Sequence, residues 1–421
     1  MIVKLPFGTE TCPVDLRGVR VRPLTATAPA GSRQPERRVL QAMDEPISGP
    51  GLDALCAGRG DATVIVPDAT RAVGLPRILP GLIQRLESSG VDVGRVTVLV
   101  ACGTHPAVDA GRLGECVGPL PDGVKVVQHD AREDDSLVTV GSVADRLIRI
   151  NRIAAEAGLL ITLGAVRHHY FAGFGGGPKM VFPGVAGFRE IQHNHALVVE
   201  GGVRDPRCEP GILVGNPVAE DIAEAADLRP VDCAVCIVPG RDGGVADCIA
   251  GPWRASFDAA VERVRDWYEV SVPGPFRLAV VSGGGAPSDS TLIQAHKGLD
   301  AACRFVAEGG EVLFVADLSH GPGSPDMEPF LETPTETFIL DRLRGGWIQY
   351  GHTTLRLVQK TARFKIHLVS RLDEALARRL GFEPARDPAD VIESWRRRFP
   401  GETAAVFPGA PVYPVNPLTP P

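Results

Sequence analysis

The chain has 421 residues, a formal net charge of -7 and 44% hydrophobic residues, the balance of a globular protein. That length accommodates two domains, each with its own core, and without a Lys/Arg cluster it excludes the electrostatic footprint of a nucleic-acid binder. No segment is apolar for the ~20 residues a membrane span needs, and Met1 to Gly8 lacks an apolar stretch of signal-peptide length, so the sequence predicts a cytoplasmic protein.

In chain order, short apolar runs rich in branched residues fall at 63–66, 96–100, 124–127 and 159–163. Between them lie stretches that fit helices, at 78–86 and 143–155. This alternation predicts βαβ units around a parallel sheet. After Val272-Pro-Gly-Pro275, a candidate linker, the pattern recurs with a strand at 277–281, a helix at 290–307 and strands at 311–315 and 403–407. The expected fold is therefore α/β with two domains, each a mainly parallel sheet flanked by helices, and an active site in the cleft between them. The boundaries read as 1–272 and 276–407, followed by a Pro-rich tail, 408–421, expected to wrap back over a surface.

Nine cysteines, an odd and scattered set, predict reduced thiols. Cys233 and Cys236 form a C-x-x-C inside the apolar run 231–238, where they read as small residues of a buried strand rather than half of a metal site.

Ligands of such sheets bind beyond the carboxyl ends of the strands. Asp68-Ala-Thr-Arg71 follows the first run, Gly103-Thr-His105 the second and Arg167-His-His169 the fourth. Between His169 and Lys179 lies a segment containing Gly175, Gly176 and Gly177, which reads either as a phosphate cradle or as a flexible loop. It lacks the Gly-Lys-Ser/Thr ending of a Walker loop and the spacing of a dinucleotide fingerprint. His168, His169, His193 and His195 cluster beside it, which raises the expectation of a metal or acid/base site.

Taken in order, Asp68-x-x-Arg71, Gly103-Thr-His105, His169-Tyr-Phe-Ala-Gly-Phe-x-Gly-Gly-x-Lys179, Asn194-His195 and Gln294-Ala-His-Lys297-Gly resemble the nickel-dependent lactate racemase family, over most of the chain. The resemblance implies a racemase or epimerase of 2-hydroxy acids that uses a nickel-pincer nucleotide. It implies a covalent link from Lys179 to that nucleotide, with Gly175, Gly176 and Gly177 beside it, and His195 as the nickel ligand. A neutral imidazole suits Ni²⁺, and the pincer would supply the other in-plane donors.

His105 and His169 match the family's acid/base pair, one on each face of the reacting carbon. Hydride transfer through a 2-keto acid avoids removing a weakly acidic Cα proton, so the cofactor carries the difficult step. Asp68, Arg71, Gln294, Lys297 and Trp347 are the implied substrate contacts, Arg71 as the fork that grips a carboxylate. Enzymes that make the cofactor are the implied partners, and protein from a host lacking them would lack the cofactor.

The chain departs from the lactate pattern at Ile293, where a tyrosine is expected, and at Gly285-Ala286-Pro287, where Gly-Tyr-Pro is commoner. These changes predict a substrate other than lactate, such as a malate-like or sugar acid. Two alternatives remain open at this level. An NAD-dependent oxidoreductase would need a glycine-rich turn after the first strand, where 66–71 has the wrong composition. A non-catalytic carrier of the nucleotide would need Lys179 and His195 but not His105 with His169.

Overall fold

The computed structural model describes the chain except Thr70, Ala72, Gly201, Gly345, Gly346, the side chain of Glu200 and residues 416–421. The turn expected at Asp68 to Arg71 and the end of the Pro-rich tail therefore lie partly outside the described residues. The chain divides into two compact units.

One unit comprises Ala28–Val198 and Arg207–Asp266. Its sheet runs in the order Val245–Gly251, Cys233–Pro239, Leu160–Ala165, Ala62–Pro67, Val96–Ala101, Lys125–Gln128. All neighbours are parallel except the edge strand Val245–Gly251. Every residue of Ala62–Pro67 and Cys233–Pro239 is buried, as continuous apolar runs covered on both faces should be. From Ala62–Pro67 the chain winds outward to one edge and then returns to lay Leu160–Ala165 on its other side. The strand order thus reverses at this pair, which makes their carboxyl ends a topological switch point. Asp68 and Arg167 to His169 follow those ends directly.

The stretch 143–155 is not the expected helix. Leu137–Val143 and Arg146–Asn151 pair as an antiparallel hairpin, turning at Ala144 with φ of 47°, and only Arg152–Ala155 is helical. Leu147 is exposed while Ile148 and Ile150 are fully buried, and this two-residue alternation of branched side chains suits a half-covered hairpin.

The other unit comprises Met1–Thr27, Val199–Pro206 and Trp267–Pro421. Its sheet is parallel throughout, in the order Glu383–Pro384, Lys365–Val369, Val306–Val315, Phe276–Ser282, Thr403–Phe407, Arg20–Pro23. A boundary at 272 therefore misplaces the first 27 residues. Arg20–Pro23 adds an edge strand to Thr403–Phe407, and the hairpin of Ile2–Phe7 with Glu10–Asp15 packs Val3, Leu5 and Val14 against Trp395 and the sheet. Nothing local announces such a long-range pairing. Beyond the sheet, Tyr413–Pro414 pairs in parallel with Glu269–Val270. No described helix is long and apolar enough to cross a membrane.

Candidate active site

Asp68 is buried just beyond Pro67, and the N–H of Arg71 donates to its carbonyl at 3.0 Å. His105 stands on the turn after Val96–Ala101, where its N–H donates to the Cys102 carbonyl at 2.9 Å. Gly103 takes φ of +55° there, and its N–H donates to Gly184, 2.9 Å away. This turn brings His105 Nδ1 to 2.5 Å from Asp68 Oδ2, a hydrogen bond assisted by the carboxylate's charge. Cys102 lines the same cavity, but burial pushes its thiol up to about 11, which keeps it protonated and unreactive.

Lys179 lies in the short 3-10 turn Gly177–Met180, with its N–H donating to the Gly176 carbonyl at 3.1 Å. Its side chain is buried, and burial first, then the charge of Arg71, lowers the amine to about 7. A substantial fraction is then the free, nucleophilic base at neutral pH. The glycines before it are required by the chain's own packing. Gly176 has φ of +73°, and a Cβ there would meet the Ala165 carbonyl at 2.6 Å; Gly177 has φ of +51°, and its Cβ would meet the Phe257 ring at 2.3 Å. Gly175 alone has room, its nearest neighbours standing 3.9 and 4.0 Å from a Cβ.

His195 occupies the last turn of the Phe188–Ala196 helix. Asn194 anchors that turn, its buried amide donating to the Val218 carbonyl at 3.1 Å and to Asp221 at 2.9 Å. His193 points to solvent, whereas His195 is half-buried and lines the cavity.

His169 lies on the two-residue strand His168–His169, and its Nδ1 accepts the N–H of Ala172 at 3.2 Å. The Phe171 ring joins three of these groups. Its centroid is 4.7 Å from that of His169, 5.1 Å from that of His195 and 5.7 Å from Lys179 Nζ.

Asp68, Arg71, His105, Gly176, Lys179 and His195 thus line one cavity. His169, Gly175 and Gly177 flank it without lining it. Gln294, Lys297 and Trp347 belong to the other unit. Gln294 and Lys297 share the Leu292–Cys303 helix, where Lys297 Nζ donates to Gln294 Oε1 at 2.6 Å, and Trp347 is half-buried.

Sequence reasoning missed Phe171 as the shared neighbour, although it lies inside the motif ending at Lys179. It also missed His129, buried where the Asn151 amide donates to its Nδ1 at 3.2 Å and its Nε2–H donates to the Ala186 carbonyl at 2.9 Å. Burial holds its pKa below the usual range, so it stays neutral and braces the segment between Lys179 and the His195 helix. No sequence pattern marks such a brace.

A buried carboxylate paired with a histidine, beside a buried lysine amine of lowered pKa, is an arrangement suited to acid/base chemistry. Comparison with known proteins narrows the class. Residues 7–204 match the lactate racemase N-terminal domain. The chain is 30% identical over 363 residues to a lactate racemase of Lactiplantibacillus plantarum, covering 82% of this chain and 84% of that protein. It is 27% identical over 327 residues to one from Thermoanaerobacterium thermosaccharolyticum, covering 76% and 75%. The fold matches the lactate racemase apoprotein structure from T. thermosaccharolyticum with a TM-score of 0.87 at 22% identity, over 98% of this chain and 99% of that one. It also matches a Thermotoga maritima crystal structure with a TM-score of 0.67 at 17% identity, over 90% and 98%. The chain belongs to the lactate racemase family and is an isomerase.

Proposed function

We propose that this enzyme racemises or epimerises a 2-hydroxy acid, using a nickel-pincer nucleotide held by Lys179 and His195. The observation that carries the reading is the convergence of the Asp68–His105 pair with Lys179 and His195 on one cavity. An oriented base has no purpose in a mere carrier of the nucleotide, which favours catalysis.

The residues present fit the cofactor. The lowered pKa of Lys179 makes its amine a competent nucleophile for a covalent link, and His195 offers an imidazole to a metal. Among the described residues, no three His, Cys, Asp or Glu side chains converge as a metal site, so the remaining donors would come from the pincer. When bound, such a group supplies a hydride acceptor and donor, which takes the substrate through a planar 2-keto acid. Enzymes that make the cofactor are its implied partners.

The protein's own part is acid/base and electrostatic. Asp68 accepts from His105 Nδ1, which aims Nε2 into the cavity and pairs with the imidazolium once a hydroxyl proton is taken. Arg71 supplies the fork for a carboxylate. His169 serves the opposite face. Gln294, Lys297 and Trp347 are assigned further substrate contacts on the family resemblance, and their alanine variants test this through KM.

The relatives are named for lactate, yet the substrate proposed here is a different 2-hydroxy acid. Ile293 packs into the core of its unit, so this departure from the lactate pattern does not by itself reshape a pocket. Ala286, exposed where the lactate pattern has a tyrosine, is the departure that bears on substrate choice. Even a methylene-sized change in a pocket is worth ~1–3 kcal/mol in discrimination.

The test uses enzyme produced alongside the cofactor-making enzymes and given enantiopure lactate, malate and gluconate, with products separated by chiral chromatography. Interconversion should occur, fastest on an acid other than lactate, and should vanish in His105→Ala and His169→Ala. Full activity in either variant would overturn the two-histidine assignment, and lactate with the highest kcat/KM would overturn the substrate.

A further inference from the structure

The two histidines are held in opposite ways. At His105, the partner of Nδ1 is the Asp68 carboxylate, 2.5 Å away. An ionised carboxylate only accepts, so the proton in that bond sits on Nδ1 and the neutral ring leaves Nε2 as a bare lone pair. At His169, the partner of Nδ1 is the N–H of Ala172, 3.2 Å away. A backbone N–H only donates, so Nδ1 is the bare nitrogen there and the neutral ring carries its proton on Nε2.

Packing resists a ring flip that would exchange the two nitrogens. The His169 ring stacks on Tyr170 with centroids 5.0 Å apart and planes 26° apart, and meets Phe171 nearly edge-on at 89°. Ala172 is itself buried, and the next residue, Gly173, has φ of +70° and lies so close to the Ile212 carbonyl that a Cβ would stand 2.2 Å from it. The amide that fixes His169 is thus on a tightly held segment.

We propose that the two histidines are preset to opposite roles: His105 is the resting base, His169 the resting hydrogen-bond donor, and the Ala172 amide is the positioning group that sets the second. This deepens the racemase reading and rests on it for its catalytic consequence. An enantiomer whose hydroxyl faces His105 passes its proton to Nε2, forming an imidazolium paired with Asp68. An enantiomer whose hydroxyl faces His169 meets a nitrogen that already carries hydrogen. Before His169 accepts, Nε2 must release its proton to solvent and Nδ1 must gain one from solvent, breaking the bond from Ala172; one proton leaves and one arrives.

The cycle therefore contains a proton redistribution at His169 that His105 does not need. Enantiomers have equal free energies, so kcat/KM is the same in both directions for a racemase. The asymmetry appears instead as different kcat and KM for the two enantiomers.

Long-range ¹H–¹⁵N correlation spectra of the full-length apo chain at slightly alkaline pH test this without any activity. His105→Gln and His169→Gln supply the assignments. The expected result is a protonated Nδ1 with a bare Nε2 at His105 and the reverse at His169. In Asp68→Ala, His105 should lose its single tautomer while His169 keeps its own and the remaining spectrum stays folded. The same tautomer at both histidines, or a protonated Nδ1 at His169, overturns the proposal. Opposite tautomers in an enzyme that racemises no 2-hydroxy acid would leave the presetting intact and overturn the functional reading instead.

Discussion

Lys179 shows how burial makes a reactive group and charges the fold for it. Its amine falls from the ordinary 10.5 to about 7, chiefly by burial and then by the charge of Arg71. Above pH ~10.5 the lysine is neutral in both folded and unfolded chains and costs nothing. Between there and about 7 the unfolded chain holds a proton that the folded one lacks, so stability falls as pH falls through this window. Below about 7 both carry the charge, and the full burial cost is present. Lys179→Met should therefore stabilise the apo protein by an amount on the order of a few kcal/mol near pH ~6, fading toward pH ~10. Urea denaturation at the two pH values measures it, and an equal gain at both would contradict the assignment. At the same scale, Asp68→Ala leaves His105 unoriented, and kcat should fall by ~10²-fold with a smaller change in KM. Steady-state kinetics of the cofactor-loaded enzyme decide that.

The glycine segment behaves as an element whose three members have different duties. Gly177 combines positive φ with direct contact against Phe257, so Gly177→Ala should cost roughly 3 kcal/mol by overpacking and backbone strain. Gly175 has open space, and Gly175→Ala should stay within ~1 kcal/mol of the parent. Thermal unfolding of the two variants separates a packing requirement from a purely ligand-facing one. The sequence marked all three as a possible cradle, because glycine composition looks the same whether a Cβ is excluded by a ligand or by the protein. The same limit explains the hairpin at 137–151, where Ile148 and Ile150 fit a strand or a short amphipathic helix until a neighbouring segment covers one face.

At the scale of the whole molecule, the N-terminal 27 residues complete the unit that contains the C-terminal sheet. Their removal uncovers the edge of Thr403–Phe407 and the apolar side chains beneath the Ile2–Phe7 hairpin. Truncation after Thr27 should sharply lower amide protection in 276–407 while leaving the Ala62–Pro67 and Leu160–Ala165 strands near their original protection. Hydrogen exchange read by mass spectrometry distinguishes this from a uniform loss, which would mean that the units do not hold their stability separately.

The sequence by itself determined the alternating α/β pattern, because strands buried on both faces read as continuous apolar runs. It also determined which residue types could do acid/base chemistry, since Asp68, His105, His169, Lys179 and His195 follow strand ends or sit in ordered motifs. Tertiary structure alone decided the bond between Asp68 and His105, 37 positions apart, the depression of the Lys179 pKa by burial, the placing of Phe171 among three functional side chains and the attachment of Arg20–Pro23 to Thr403–Phe407. The reason is physical: a residue's chemistry and local periodicity are carried along the chain, whereas burial, hydrogen-bond partners and edge pairing are properties of which distant segments meet.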